Sequence, residues 1–149
     1  MEFLQVNGLN KDFFDLCKKL ESFQHNLLPI LKDKGYSLTD NLQDITGYIL
    51  YIDKKPVGSI GIKKISDKVC EIVRVFVCEE YRGKGYATFL FEKVESLAKS
   101  LGFRKAEMVA WCKAVPALML YQKLGFTKSE EKISEWYGNL EYVELFKFL

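Results

Sequence analysis

Few residues in this sequence can build a metal centre or a covalent framework. There is one histidine, His25, and the four cysteines, Cys17, Cys70, Cys78 and Cys112, show no C-x-x-C spacing. Neither a zinc site nor a disulfide scaffold is expected, and the cysteines read as reduced, partly buried small side chains. A lone histidine without a partner reads as structural or as a surface group. Three prolines and ten glycines in 149 residues, with 48% hydrophobic residues, exclude collagen, low complexity and long disorder. Charge of one sign is also missing: 22 basic against 20 acidic residues leave +2, no electrostatic footprint for nucleic acid. The longest apolar runs, such as Ile49 to Ile52, fall far short of the roughly 20 residues that cross a bilayer. Met1-Glu2-Phe3 opens without a basic and then apolar stretch, so no secretory leader and a cytoplasmic, membrane-free location are expected. At 149 residues the chain reads as one domain, residues 1–149, burying roughly 68–70% of its unfolded surface without staples.

What is present is a sequence of alternating periods. Met1 to Val6 reads as a first strand, and Phe13, Phe14, Leu16, Cys17 and Leu20 follow at helical spacing. A second helical stretch, Gln24 to Lys34, is interrupted by Pro29. Ser37 to Thr46 reads as a polar loop. Three strands then form an antiparallel meander: Gly47 to Ile52, Val57 to Ile65 and Val69 to Cys78, joined by turns at Asp53–Pro56 and Ser66–Lys68. Alternation in the third places Val69, Glu71, Val73, Val75 and Val77 on one face and Cys70, Ile72, Arg74 and Phe76 on the other. An amphipathic helix carries Ala87, Leu90, Phe91, Val94, Leu97, Ala98 and Leu101 on one stripe and stops at Gly102. Lys105 to Trp111 reads as a strand. A shorter helix with Pro116 in its first turn ends at Gly125, and two strands, Gly125 to Ile133 and Glu141 to Leu149, close the chain. The order predicts an α/β protein with a mixed sheet.

The most informative segment is the run from Val75 through Phe76, Val77, Arg82, Gly83, Lys84, Gly85 and Tyr86 to Ala87. A strand enters a Gly-rich turn and continues directly into a helix. Glycines let backbone N–H groups converge, and the helix N-terminus adds free donors and its dipole. That is an anion site for phosphate or pyrophosphate, with Arg82 and Lys84 supplying positive charge. A Gly-x-Gly turn alone is equally what a loop with a helix cap would show. The chain has neither G-x-x-x-x-G-K-[ST] nor G-x-G-x-x-G, which excludes two named nucleotide motifs.

Arg82-Gly83-Lys84-Gly85-Tyr86-Ala87 resembles the [QR]-x-x-G-x-[GA] pyrophosphate signature of the GNAT superfamily, the Gcn5-related N-acetyltransferases. Ala117-Leu118-Met119-Leu120-Tyr121-Gln122-Lys123-Leu124-Gly125-Phe126 is similar to its second hallmark, A-x-x-L-Y-x-K-x-G-F. The resemblance extends to the order of the elements over nearly the whole chain. It implies a mixed, mostly antiparallel twisted sheet of six to seven strands flanked by about four helices. It also implies acetyl-CoA as co-substrate and acetyl transfer to an amine acceptor by direct attack. Carried onto this sequence, the main-chain groups of Val75 and Val77, with Phe76 between them, would pair with the pantetheine arm. The N–H groups from Gly83 to Thr88, with Arg82 at the entrance, would hold the pyrophosphate. The Val75 N–H would polarise the thioester carbonyl, and Tyr121 would be the general acid for the departing thiolate. Tyr121 also fits a plain core aromatic on a helical stripe.

Glu71 is a carboxylate among valines, unusual unless paired or functional. It lies eleven residues before Arg82, the spacing at which histone-acetylating family members carry a general base; a pairing with lysine is the alternative. Arg74 reads as structural or acceptor-binding. One departure from the family pattern is Ala114, where many relatives have an asparagine that contacts the cofactor. The resemblance places the acceptor cleft between Lys11–Thr46 and the tail near Ile133–Glu141. Those segments hold Tyr36, Asp40, Asp44, Glu130, Glu131, Glu135, Trp136 and Tyr137, an acidic and aromatic set suited to a cationic amine, or else solvated charges and packed rings. The expected function is an N-acetyltransferase for a small-molecule or peptide amine. The alternatives are an acyl-CoA-binding sensor of the same fold, or an enzyme acting on a protein lysine or N-terminus. Oligomeric state is not written in the sequence, although Glu141 to Leu149 is a candidate to pair with a second subunit and leaves a homodimer open.

Overall fold

The computed structural model describes residues 1–149. Its elements run β1 (Glu2–Asn7), α1 (Lys11–Leu27), α2 (Pro29–Asp33), β2 (Thr46–Ile52), β3 (Lys55–Lys64), β4 (Val69–Val77), α3 (Tyr86–Ser100), β5 (Lys105–Trp111), α4 (Val115–Lys123), β6 (Thr127–Ser134) and β7 (Leu140–Phe148). The seven strands form one sheet in the order β1-β2-β3-β4-β5-β7-β6. Every pairing is antiparallel except that of β4 with β5. This is the mixed, mostly antiparallel sheet with four helices that the sequence led us to expect. No helix is long and apolar enough to cross a membrane.

Each sheet face carries its own apolar layer, because consecutive strand side chains point to opposite sides. Phe13, Leu16, Cys17 and Leu20 of α1 pack with Ile49, Val73 and Phe76 on one face. Leu90, Phe91 and Val94 of α3, with Tyr121 of α4, pack with Leu50, Val57, Ile60 and Ile72 on the other. Asn10 caps α1 by accepting the Phe13 N–H at 3.1 Å. Proline disfavours helical backbone in the residue before it, so Leu28 leaves the helical region at φ −133° and ψ 84° and α1 ends at Leu27. Gln24 to Leu27 therefore belong to α1, and only Pro29–Asp33 form the second helix. The polar segment 37–46 is anchored by buried Leu38, Leu42 and Ile45. Leu101, placed on the α3 stripe by periodicity, is 57% exposed beyond the helix end.

Two further expectations are corrected. The face pattern of β4 holds only to Val73, because the pairing with β3 shifts by one residue between Ser59 and Gly61. Arg74 sits in the extra position with φ 57°, a β-bulge that reverses parity. Val73 and Phe76 consequently share the α1 face, while Ile72 and Val77 share the α3 face. The C-terminal strand β7 lies between β5 and β6, hydrogen-bonded on both edges, and has no free edge for a second subunit; the sheet's edges are β1 and β6.

The bulge is held from inside. Ser59 is fully buried, and its hydroxyl donates to the Arg74 carbonyl at 2.9 Å. Ser59→Ala leaves that carbonyl without its side-chain donor and is expected to lower stability by about 1–3 kcal/mol in urea unfolding. An unchanged midpoint would mean that Ser59 does not support the bulge.

Candidate active site

A gap opens in the sheet at the bulge. The parallel pairing of β4 with β5 covers only Val69–Glu71 against Lys105–Glu107, whereas β5 stays paired with β7 along its whole length to Trp111. Beyond Ile72, β4 turns away while β5 is held by its other neighbour. The Arg74 side chain fixes this turn, its Nε donating to the Leu38 carbonyl at 3.0 Å; its role is structural. The Cys78 N–H donates to the Val57 carbonyl at 2.8 Å, so Phe76 and Cys78 direct their main-chain groups at β3. Alternation then turns those of Val75 and Val77 to the opened side, where no strand meets them. One of these groups is already engaged: the Val77 carbonyl accepts Arg82 Nε at 2.7 Å.

The Gly-rich turn stands at the end of this free edge. Gly83 and Gly85 have φ 76° and 82°, conformations that suit glycine and strain other residues. A Cβ at either would meet nothing within 4 Å, so it is the backbone conformation and not crowding that requires glycine. Gly85 is the N-cap of α3 and no side chain caps the helix, which leaves its first N–H groups free for an anion. Arg82 borders the cleft while also packing against two rings. Its guanidinium lies 4.6 Å from the Phe23 ring and 5.4 Å from the Phe76 ring, tying the turn to α1.

Edge, turn and helix start line a single cleft of about 880 Å³. Val75, Phe76, Val77, Arg82, Gly83, Gly85, Tyr86, Ala87, Thr88 and Tyr121 all border it. Of the residues expected to hold a cofactor, only Lys84 is not in the lining; its Nζ lies 5.8 Å from the Tyr81 ring. An extended chain with main-chain-like amides, ending in a pyrophosphate, fits a free strand edge that leads to an uncapped helix start. The residues present thus suit acetyl-CoA. Ala114, in place of the asparagine, also borders the cleft and starts α4 without a side-chain cap.

Tyr121 is 9% exposed and packs on Phe91, with ring centroids 5.7 Å apart. Its hydroxyl makes no hydrogen bond to protein, yet no buried side-chain polar atom is left unpartnered. The phenol oxygen therefore opens onto the cleft. Burial pushes its pKa up to about 12, because the phenolate would be poorly solvated. Glu71 is not brought to the cleft. Its carboxylate pairs with Lys63 at 3.6 Å across the β3–β4 ladder, and it is absent from the lining. The structure thus places Glu71 in the paired alternative, away from the cleft lining.

At its other end the cleft is aromatic rather than acidic. Tyr36 and Tyr137 border it as expected, but Asp40, Asp44, Glu130, Glu131, Glu135 and Trp136 do not. Sequence reasoning missed Leu20, Phe23, Gln24 and Leu27 of α1, together with Trp111 and Tyr142. Phe23 and Leu27 continue the apolar stripe of α1 by about two turns past Leu20, its last buried position, a usable signal; Tyr142 is visible only through the register that sets it opposite Trp111. Trp111 Nε1 donates to Gln24 Oε1 at 3.3 Å. His25 Nε2 meets the Tyr36 carbonyl at 2.8 Å, the structural role expected of it.

A model of the acetyltransferase (GNAT) family matches residues 11–126. Streptothricin acetyltransferase from Escherichia coli is 29% identical over 120 residues, covering 78% of this chain and 68% of that protein. An uncharacterized N-acetyltransferase from Methanocaldococcus jannaschii is 32% identical over 89 residues, but these cover 56% of this chain and only 39% of that protein. Among solved structures, a GNAT family acetyltransferase from Elizabethkingia anophelis with acetyl-CoA bound has the same fold. It gives a TM-score of 0.76 at 16% identity over 99% of this chain and 97% of that one.

Arg82 ties the turn to β4 through a short charge-assisted hydrogen bond to the Val77 carbonyl and the Phe76 ring, and to α1 through the Phe23 ring. Arg82→Ala is expected to lower stability by about 1 kcal/mol in urea unfolding. No loss would mean that the guanidinium does not bridge these elements.

Proposed function

The chain belongs to the GNAT family of acetyltransferases, and on that footing we propose that it is an acetyl-CoA-dependent N-acetyltransferase acting on a primary amine of a small molecule or peptide. The observation that carries this reading is the continuity of one cleft from the Gly-rich turn, along the free edge of Val75 and Val77, to the Tyr121 phenol. When bound, acetyl-CoA supplies an acetyl thioester: the amine nitrogen bonds to the acetyl carbon, the carbon–sulfur bond breaks, and the thiol leaves with a proton.

The chain's own groups have separable tasks. Val75 and the Val77 N–H pair with the pantetheine amides as an added strand would. The N–H groups from Gly83 to Thr88 hold the pyrophosphate, with Lys84 and Arg82 adding charge. The Val75 N–H, fixed by the bulge, donates toward the acetyl carbonyl oxygen, where negative charge develops. Tyr121 Oη holds the proton that the departing sulfur needs, and its raised pKa keeps that proton in place at any physiological pH. No carboxylate borders the cleft, so the amine gives up its proton to solvent rather than to Glu71.

Two variants separate these roles. Tyr121→Phe is expected to lower kcat by well over tenfold, about 100-fold, with acetyl-CoA affinity within about twofold of wild type. Glu71→Gln is expected to keep kcat within about threefold. Equal losses in the two would contradict the assignment. The pH profile follows from sign. A phenol donates only while protonated, so with its pKa at about 12 the rate rises as the amine deprotonates and shows no downturn up to about pH 10. A downturn below that, removed by Tyr121→Phe, would contradict a raised Tyr121 pKa. Acetyl-CoA binding without thiol release on any amine would favour the sensor reading instead.

A further inference from the structure

The acceptor end of the cleft has a composition that selects among amines. Trp111 and Tyr142 sit opposite one another on β5 and β7, with ring centroids 6.0 Å apart. Tyr36 approaches Trp111 at 5.8 Å and Tyr137 at 5.3 Å, all edge to face. Leu27 of α1 adds an aliphatic wall. Burial raises the Tyr36 pKa, which fits a poorly hydrated pocket.

Charge is distributed against cationic guests. No aspartate or glutamate borders any part of the cleft, and its charged residues, Arg82, Lys113 and Lys123, are all basic. The acidic residues of the β6 strand are engaged elsewhere: Glu130 lies 3.7 Å from Lys132, and Glu131 3.7 Å from Lys128. An amine with several ammonium groups would have to desolvate each of them with no carboxylate in return. A molecule with a single amine faces the opposite balance. Its apolar body is buried against the rings at about 25 cal/mol per Å². Desolvation also disfavours the ammonium form, delivering the neutral nitrogen that attack requires without a general base.

We propose that the acceptor is a single amine carried on an aromatic or branched apolar body, bound among Tyr36, Trp111, Tyr137 and Tyr142, and that polycationic amines are excluded. This rests on the acetyltransferase reading above. The body belongs either to a free arylalkylamine or to a peptide that begins with an aromatic residue; the chemistry recognised is the same.

The chain has two tryptophans, and Trp136 is 69% exposed outside the cleft, so Trp136→Phe leaves Trp111 as the only indole emitter. In that variant, with CoA present, Trp111 emission is titrated with phenethylamine, with the peptide Phe-Gly-Gly and with spermidine. Phenethylamine or Phe-Gly-Gly is expected to give a saturable change at least about 30-fold tighter than spermidine, and whichever binds identifies the source of the amine. Adding Leu27→Asp, which places a carboxylate on the wall, is expected to shrink that preference by about tenfold or more. Spermidine binding as tightly as the aromatic amines, or no saturable response to any of them, would overturn the proposal. Thiol release with the same amines reports separately on the activity. Release driven best by spermidine overturns the acceptor class and leaves the acetyltransferase standing. Failure of acetyl-CoA to bind in calorimetry contradicts the acetyltransferase itself, whatever Trp111 records.

Discussion

One surplus residue in β4 governs the rest of the molecule. With Arg74 at φ 57°, the strand bends away from β5 after three parallel pairs, and the sheet splits where it would otherwise be continuous. A split sheet exposes main-chain donors and acceptors, which in a protein interior is tolerable only if something satisfies them. Ser59 and Leu38 hold the bulge itself. Val75 and Val77 are left facing the gap. The local strain of the bulge is thus paired with a binding edge, the kind of place where backbone irregularity carries function.

The two ends of the cleft divide the chemistry. At one end, glycine conformations and an uncapped helix start concentrate N–H donors, with Arg82 beside them. At the other, aromatic rings pack edge to face and leave no carboxylate. Tyr121 lies between, buried enough that its phenol stays neutral and open enough to reach the cleft. The distribution suits a negatively charged carrier that enters by one mouth and an apolar amine that enters by the other. Arg82 connects the two halves, since it joins the Val77 carbonyl to the Phe23 ring of α1.

Much of this architecture was legible in the sequence. Helices α3 and α4 and strand β5 follow from periodicity and from Gly102 and Gly125. The Gly-rich turn was legible because strand, glycines and helix are contiguous. The bulge was not, because residues 69–78 alternate well enough to hide one extra residue; register with β3 alone reveals it. The role of Glu71 depended on Lys63, a cross-strand neighbour that spacing within one strand cannot show. The aromatic end of the cleft was misjudged for the same reason. Asp40, Asp44 and the glutamates of β6 lie on the expected segments but do not border the cleft, whereas Trp111, Tyr142 and the end of α1 converge there only in three dimensions. The C-terminal strand, a candidate to pair with a second subunit, inserts instead between β5 and β6.

The opened edge of β4 is proposed as the strand to which the cofactor adds. Amide hydrogen exchange resolved by residue, with and without acetyl-CoA, tests it directly. The Val75 and Val77 amides are expected to exchange readily in the free protein and to become protected on addition of acetyl-CoA, while Phe76 and Cys78, on the side of β4 that pairs with β3, change little. Protection that leaves Val75 and Val77 unaffected would contradict it.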